Sequence, residues 1–155
     1  METENKYLHK NKVHKILAHS YSVYLFFFLM GVCLDVFFNF KIFSNLFVAP
    51  VGVLFLILGT VLIFWAQKTS RNFKKDLINK EIFLHGPYRF TRTPTNFGLF
   101  FLMLGFGLVI NAFFIVLFAF ICFILGKFIF LDKQEKILEE KYGAPYLEYK
   151  KLVKF

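Results

Sequence analysis

The sequence predicts an all-α integral membrane protein of about four transmembrane helices, the last two forming a tight helical hairpin followed by a cytoplasmic C-terminal helical extension. Three observations support this class. The chain of 155 residues is 57% hydrophobic, above the roughly 45–50% apolar share of soluble domains. Its apolar residues form long runs, and its basic residues lie almost entirely on one side of those runs. The length is that of one domain, which we assign to residues 1–155.

Four apolar runs are candidate transmembrane spans. They are Val23–Phe40, Leu46–Ala66, Phe97–Ile110 and Ala112–Leu131. A bilayer core about 30 Å thick requires about 20 helical residues, so the third run is short unless its helix begins at Pro94. Asn111 alone separates the third run from the fourth. Because Asn tolerates left-handed backbone at a helix end, we expect these two spans to form a tight hairpin.

The basic residues predict the orientation of the spans. Among the 19 Lys and Arg residues, all except Lys41 and Lys127 lie before the first span, between the second and third, or after the fourth. The positive-inside rule then places both termini and the long middle loop in the cytoplasm of a multi-pass inner-membrane protein. Since topology explains the net charge of +9, we predict the lipid bilayer as a partner and no nucleic acid.

Individual residues within the spans suggest how the helices pack. Gly31 in the first span and Gly52 and Gly59 in the second are small enough to let helices approach closely. Asp35 is an acid within the first apolar run, near its outer end. Intramembrane acids are functional candidates, but here we favour an interfacial position or an ion pair with Lys41.

No metal site is predicted. His9, His14 and His19 recur every five residues, a spacing that does not place them on one helical face. Cys33 and Cys122 lie inside apolar runs, where neither a disulfide framework nor a zinc site is indicated.

Two polar segments flank the predicted hairpin, and residues 86–98 of the first read GPYRFTRTPTNFG. Within it Thr93-Pro94 is a strong helix start, because Thr caps free amide groups and Pro fits the first helical position. The positive end of this helix, with Arg92 beside it, would attract a carboxylate or phosphate. The same residues also fit an ordinary cap where the third span enters the membrane. The apolar patch 82–84 just upstream either dips into the membrane surface or walls a cofactor site.

The second polar segment, residues 134–149, reads QEKILEEKYGAPYLEY. Taken alone, Glu135, Glu139 and Glu140 fit a solvated helix face interleaved with lysines. Gly143 is expected to end this helix, and Pro145 to open another short one.

Together these two segments resemble the isoprenylcysteine carboxyl methyltransferase family, membrane-embedded enzymes that use S-adenosylmethionine and are related to the phospholipid methyltransferases. The resemblance covers about residues 80–153: the Gly-Pro-Tyr turn, the paired spans and the Tyr-x-x-Tyr tail. It implies that S-adenosylmethionine binds between the 82–96 turn and the cytoplasmic end of the fourth span, with Arg92 and Glu135 bracing the site as an ion pair. The implied cofactor-binding residues are Ile82, Phe83, Tyr88, Arg92, Thr93, Pro94, Thr95, Asn96, Gln134 and Glu135.

The chain departs from the family pattern at four positions. Thr93 stands where relatives have His, Asn96 where they have Tyr, and Gln134 where they have the first of two paired Glu residues. Phe130 replaces an Arg implicated in substrate binding. Thr, Asn and Gln can still form hydrogen bonds, but the loss of a charged acceptor at position 134 weakens recognition of the cofactor's ammonium group.

The resemblance implies methyl transfer to an amphipathic, lipid-embedded acceptor, either a prenylated (isoprenylcysteine carboxylate-like) or a phospholipid-like molecule. We assign no catalytic base, because a carboxylate acceptor needs none. The alternative is a non-catalytic membrane protein that keeps the methyltransferase fold but has lost turnover.

Overall fold

The computed structural model describes residues 2–43, 48–72 and 85–153. Side chains are described for residues 18–43, 48–70, 85–128, 131–140 and 143–153. This part of the chain is helical apart from short connections and contains no β-strand, as the all-α class predicted. The candidate cofactor residues Ile82 and Phe83 lie outside the described residues.

Six α-helices follow one another in the described part. They are α1 Glu2–Phe38, α2 Ala49–Asn72, α3 Pro94–Val109, α4 Phe113–Leu125, α5 Leu131–Tyr142 and α6 Ala144–Leu152. A 3-10 turn, Gly86–Arg89, precedes α3. A π-helical segment, Gly126–Phe130, joins α4 to α5 without a break, so the fourth apolar run continues into a polar helix as predicted.

Among the residues that the structure describes, three helical stretches are long and apolar enough to cross a membrane: Ala18–Phe38, Ala49–Ser70 and Phe113–Glu140. The protein is therefore a membrane protein. The third predicted span is the 16-residue helix α3, which begins at Pro94 as expected and is also apolar. At a rise of 1.5 Å per residue it is about 24 Å long, so its complete crossing of the bilayer stays a prediction.

Helices α2 and α3 pack closely through paired glycines. A Cβ atom on Gly52 would lie 2.8 Å from the carbonyl oxygen of Gly105, and one on Gly59 would lie 2.8 Å from that of Gly98. These glycines let the two backbones touch, and in lipid such van der Waals contact is a main force holding helices together. The predicted close approach at Gly52 and Gly59 is confirmed.

The hairpin between α3 and α4 turns at Asn111, whose φ of 58° is left-handed as predicted. The Asn111 side chain also binds the connection that follows α1. Its Oδ1 accepts hydrogen bonds from the backbone N–H groups of Ile42 and Phe43, both at 3.0 Å, and its Nδ2 donates to the Phe43 carbonyl at 2.7 Å. The Asn111 side chain thus provides hydrogen-bond partners for backbone N–H and C=O groups of residues that are distant in the sequence.

The structure gives Asp35 partners that the sequence did not predict. Its two carboxylate oxygens accept hydrogen bonds at 3.0 Å from the backbone N–H groups of Phe114 and Ile115. These N–H groups belong to the first turn of α4, where the N-cap residue Ala112 has no side-chain acceptor. Asp35 therefore caps α4 from another helix, which accounts for an acid in an apolar run.

Candidate functional site

One end of the bundle brings together the 3-10 turn, the start of α3, the π-helical segment, α5 and α6. We call it the basic end, because Arg89, Arg92, Lys133 and Lys150 lie there. All the described residues that the sequence predicts for the cofactor site belong to these elements.

The Gly-Pro-Tyr turn is held from both sides. Gly86 has a φ of +65°, and a Cβ there would lie 2.4 Å from the Thr69 hydroxyl oxygen of α2, so both backbone shape and space require glycine. Pro87 is fully buried. On the other side, the Tyr149 hydroxyl of α6 donates a hydrogen bond of 2.7 Å to the Tyr88 carbonyl oxygen. The turn that carries Tyr88 is therefore fixed between α2 and α6.

A charged cluster joins the start of α3 to α5 and α6. Arg92 Nη1 donates to Glu135 Oε1. The second oxygen, Oε2, lies 2.6 Å from Lys150 Nζ, which also contacts Glu139 Oε1 at 2.7 Å. The predicted contact between Arg92 and Glu135 is thus present. The alternative of a solvated face is wrong for Glu135, which is 6% exposed, and fits Glu140, which is exposed.

The ionisation states of this cluster follow from its contacts. Hydrogen bonds to Glu135 and then Glu139 raise the pKa of Lys150, so its ammonium group is charged at neutral pH. Burial, followed by the nearby Glu135 carboxylate, raises the pKa of Tyr146. Burial also raises the pKa of Tyr149. Both tyrosines are therefore neutral hydrogen-bonding groups at neutral pH.

The start of α3 follows the prediction in position but not in its capping contact. The helix begins at Pro94, yet Thr93 makes no side-chain cap. The hydroxyl of an N-cap threonine ordinarily accepts a hydrogen bond from the N–H at the position of Asn96. Here the Asn96 N–H donates instead to the Thr93 backbone carbonyl at 3.1 Å. The Thr91 hydroxyl accepts from the Thr93 N–H at 3.3 Å. The Thr93 hydroxyl is therefore not used as a cap of this helix.

Asn96 lies where three helices meet. Its Oδ1 accepts a 2.7 Å hydrogen bond from the Tyr24 hydroxyl of α1. Its amide also lies against Gly126, the first residue of the π-helical segment, where a Cβ would come within 2.5 Å of Asn96 Nδ2. Gln134 is half-buried on α5, directly before Glu135. Along the contact between α3 and the α4–α5 helix, Arg92 thus meets Glu135 and Asn96 meets Gly126.

The sequence prediction missed Tyr24, Gly126 and Lys150. Lys150 was grouped with the topology-setting lysines, and a glycine within an apolar run carries no evident chemical signal. Tyr24 did have a detectable signal in the sequence, since Tyr24, Gly31 and Asp35 share a helical face at spacings of seven and four residues.

The fold and this site define an α-helical membrane protein whose polar groups converge at one end of the bundle. The model of the phospholipid methyltransferase family matches residues 47–145. The chain therefore belongs to the phospholipid methyltransferase family, to which the resemblance of its two polar segments also relates it. No curated protein and no solved structure shows significant similarity to the chain. The matched region includes α2, the 3-10 turn, α3 and Glu135 and leaves out α1.

Proposed function

We propose that the protein binds S-adenosylmethionine at the basic end and transfers its methyl group to an amphipathic acceptor that enters from the lipid. Family membership supports methyl transfer. The observation that carries the location is the contact between Arg92 and Glu135, which joins the start of α3 to α5. Asn96 belongs to the first turn of α3, and Gln134 directly precedes Glu135 on α5.

The described residues have donors and acceptors that fit such a cofactor. The positive end of the α3 dipole, with Arg92 beside it, favours a carboxylate. The side-chain amide oxygens of Asn96 and Gln134 can accept hydrogen bonds from an ammonium group. Because Gly126 has no Cβ, there is room for the Asn96 amide beside it. We assign Tyr88, Arg92, Thr93, Pro94, Thr95, Asn96, Gln134 and Glu135 to this site, with Ile82 and Phe83 as further candidates outside the described residues.

Within this site, Arg92 and Glu135 act as a brace. Both Glu135 oxygens are bound by cations of the protein itself, so Glu135 orients Arg92 and α5 and leaves ligand contacts to its neighbours. When bound, the cofactor would supply an electrophilic methyl group, and the protein would supply orientation in a site shielded from water. We infer that the acceptor is isoprenylcysteine carboxylate-like or phospholipid-like, since either would reach the site from the bilayer.

The orientation of the protein is part of the proposal. The basic residues favour an inner-membrane location with both termini and the basic end in the cytoplasm. Reporter fusions near Pro87 test this, and an extracytoplasmic location of that turn would contradict it.

Titration of the detergent-solubilised protein with S-adenosylhomocysteine tests cofactor binding. We expect saturable heat at millimolar ligand or below, and tighter binding after Thr93→His and Gln134→Glu, which restore residues of the family pattern. Absence of binding by the wild type at millimolar ligand would contradict the proposal. Incubating membranes with methyl-labelled cofactor and separating lipids from proteins then identifies the class of acceptor.

The second candidate function is a non-catalytic membrane protein with the methyltransferase fold. The substitutions at Thr93, Asn96 and Gln134 favour it, because each removes a side chain that relatives use. The two candidates differ in the titration: a protein of the second kind binds no S-adenosylhomocysteine and transfers no label to membranes.

A further inference from the structure

Helix α1 lies outside the region matched to the family, yet polar residues near both ends of its apolar stretch bind the matched region. Tyr24 reaches Asn96 of α3, and Asp35 reaches the first turn of α4. The two residues are eleven positions apart in sequence, which is about three helical turns, so they lie on the same face of α1. One face of α1 is therefore directed at the methyltransferase core.

The contacts between these two positions fix α1 in its place. Gly31 lies on the same face, and a Cβ there would lie 3.1 Å from the Ile115 Cα, so α1 and α4 are in close contact. The Phe27 ring packs against Phe118 with centroids 5.6 Å apart. Since Asp35 binds two adjacent N–H groups of α4, a shift of α1 along its axis would break both hydrogen bonds. These hydrogen bonds of Asp35 therefore fix where Tyr24 lies along the bundle axis relative to α3.

Tyr24 acts on one side chain of the proposed site. Its side chain is buried, with 5% of the residue exposed, and its hydroxyl donates to Asn96 Oδ1 at 2.7 Å. With Gly126 behind the amide, the Asn96 side chain is held by contacts on two sides. A hydrogen bond in an apolar setting constrains direction strongly, because an unsatisfied amide there is unfavourable.

We propose that Tyr24 is a positioning residue of the cofactor site: it holds the Asn96 amide in the orientation that binds S-adenosylmethionine. The inference rests on the function proposed above. It makes α1 part of the binding site although no residue of α1 needs to contact the cofactor.

The test compares Tyr24→Phe with Tyr21→Phe in the full chain, using the affinity for S-adenosylhomocysteine as the readout. Tyr21 is a matched control, because it lies one turn earlier on α1 and its hydroxyl contacts Gln67 of α2 rather than Asn96. Loss of one hydrogen bond predicts that Tyr24→Phe weakens binding about threefold to tenfold, whereas Tyr21→Phe binds like the wild type.

A double-mutant cycle with Asn96→Ala shows whether Tyr24 acts through Asn96. We expect Tyr24→Phe to add nothing further in the Asn96→Ala background. Wild-type affinity of Tyr24→Phe, or a loss that adds fully to that of Asn96→Ala, would overturn the proposal.

A spectroscopic signature separates this proposal from the proposed function. In protein labelled with ¹⁵N-asparagine, the side-chain amide signal of Asn96, assigned by its disappearance in Asn96→Ala, should shift in Tyr24→Phe and stay in place in Tyr21→Phe. If this signal does not shift, the positioning role is wrong even where the wild type binds ligand. If the wild type binds no ligand while the signal shifts, the proposed function fails, and the cofactor role of Tyr24 fails with it.

Discussion

Replacement of Glu135 by Gln should destabilise the protein strongly, because it leaves two cations beside a neutral group. The side chains of Arg92 and Glu135 are 14% and 8% exposed, whereas that of Lys150 is 37% exposed. Removing one partner of a buried ion pair costs about 3 kcal/mol or more. Loss of the more exposed Lys150 contact adds less than about 1 kcal/mol. We therefore expect Glu135→Gln to lower the free energy of unfolding by about 3 kcal/mol, and Lys150→Met by less than about 1 kcal/mol.

The assay is unfolding in mixed micelles, followed by circular dichroism as the fraction of denaturing detergent rises. Glu140→Gln is the matched control, since Glu140 lies on the same helix and is exposed. It should change the free energy of unfolding by less than about 0.5 kcal/mol. Arg92→Met combined with Glu135→Gln should cost less than the sum of the single changes. Equal stabilities of Glu135→Gln and Glu140→Gln would refute the reasoning.

Three further predictions concern other contacts. Gly126→Ala should abolish binding of S-adenosylhomocysteine in titration, because the new methyl group would lie 2.5 Å from Asn96 Nδ2; unchanged affinity would contradict the role of Asn96. Asp35→Ala should lower the free energy of unfolding by about 1–2 kcal/mol through loss of the α4 cap, and Asp35→Asn by less, since it keeps one acceptor; equal losses would contradict this, because the oxygen that Asn retains would then give no stabilisation. The pKa of Tyr149 is raised by burial, and that of Lys150 by its hydrogen bonds to carboxylates. Both groups therefore lose protons more readily in the unfolded chain, so the stability they provide should persist up to about pH 10 and decline above it. A series of unfolding curves at increasing pH should show a shallower decline of stability for Tyr149→Phe than for the wild type.

Features that depend on neighbouring residues were predictable from the sequence. The start of α3 at Pro94, the left-handed turn at Asn111 and the end of α5 at Gly143 each follow from the conformational preference of one residue. The close approach of helices at Gly52 and Gly59 was also predictable, because two helix backbones can come into contact only where a residue has no Cβ to separate them.

Features that depend on how helices align were not predictable in the same way. The partners of Tyr24 and Asp35 lie 72 to 80 positions away in sequence, and no local rule selects one backbone amide among many. The capping rule failed at Thr93 for a different, local reason: the Asn96 N–H donates to the Thr93 backbone carbonyl rather than to the Thr93 hydroxyl. The sequence therefore indicated which segments carry the polar residues of the basic end, while the contacts among them required the structure.

The contact made by Asp35 has a consequence for biosynthesis. When the ribosome has completed α1, the amide groups of Phe114 and Ile115 do not yet exist, since they follow 79 and 80 residues later. Until then the carboxylate lacks these two partners, and its place near the end of the apolar run leaves water at the membrane surface as a substitute. Helix α1 would therefore reach its final position only after the α3–α4 hairpin has been inserted.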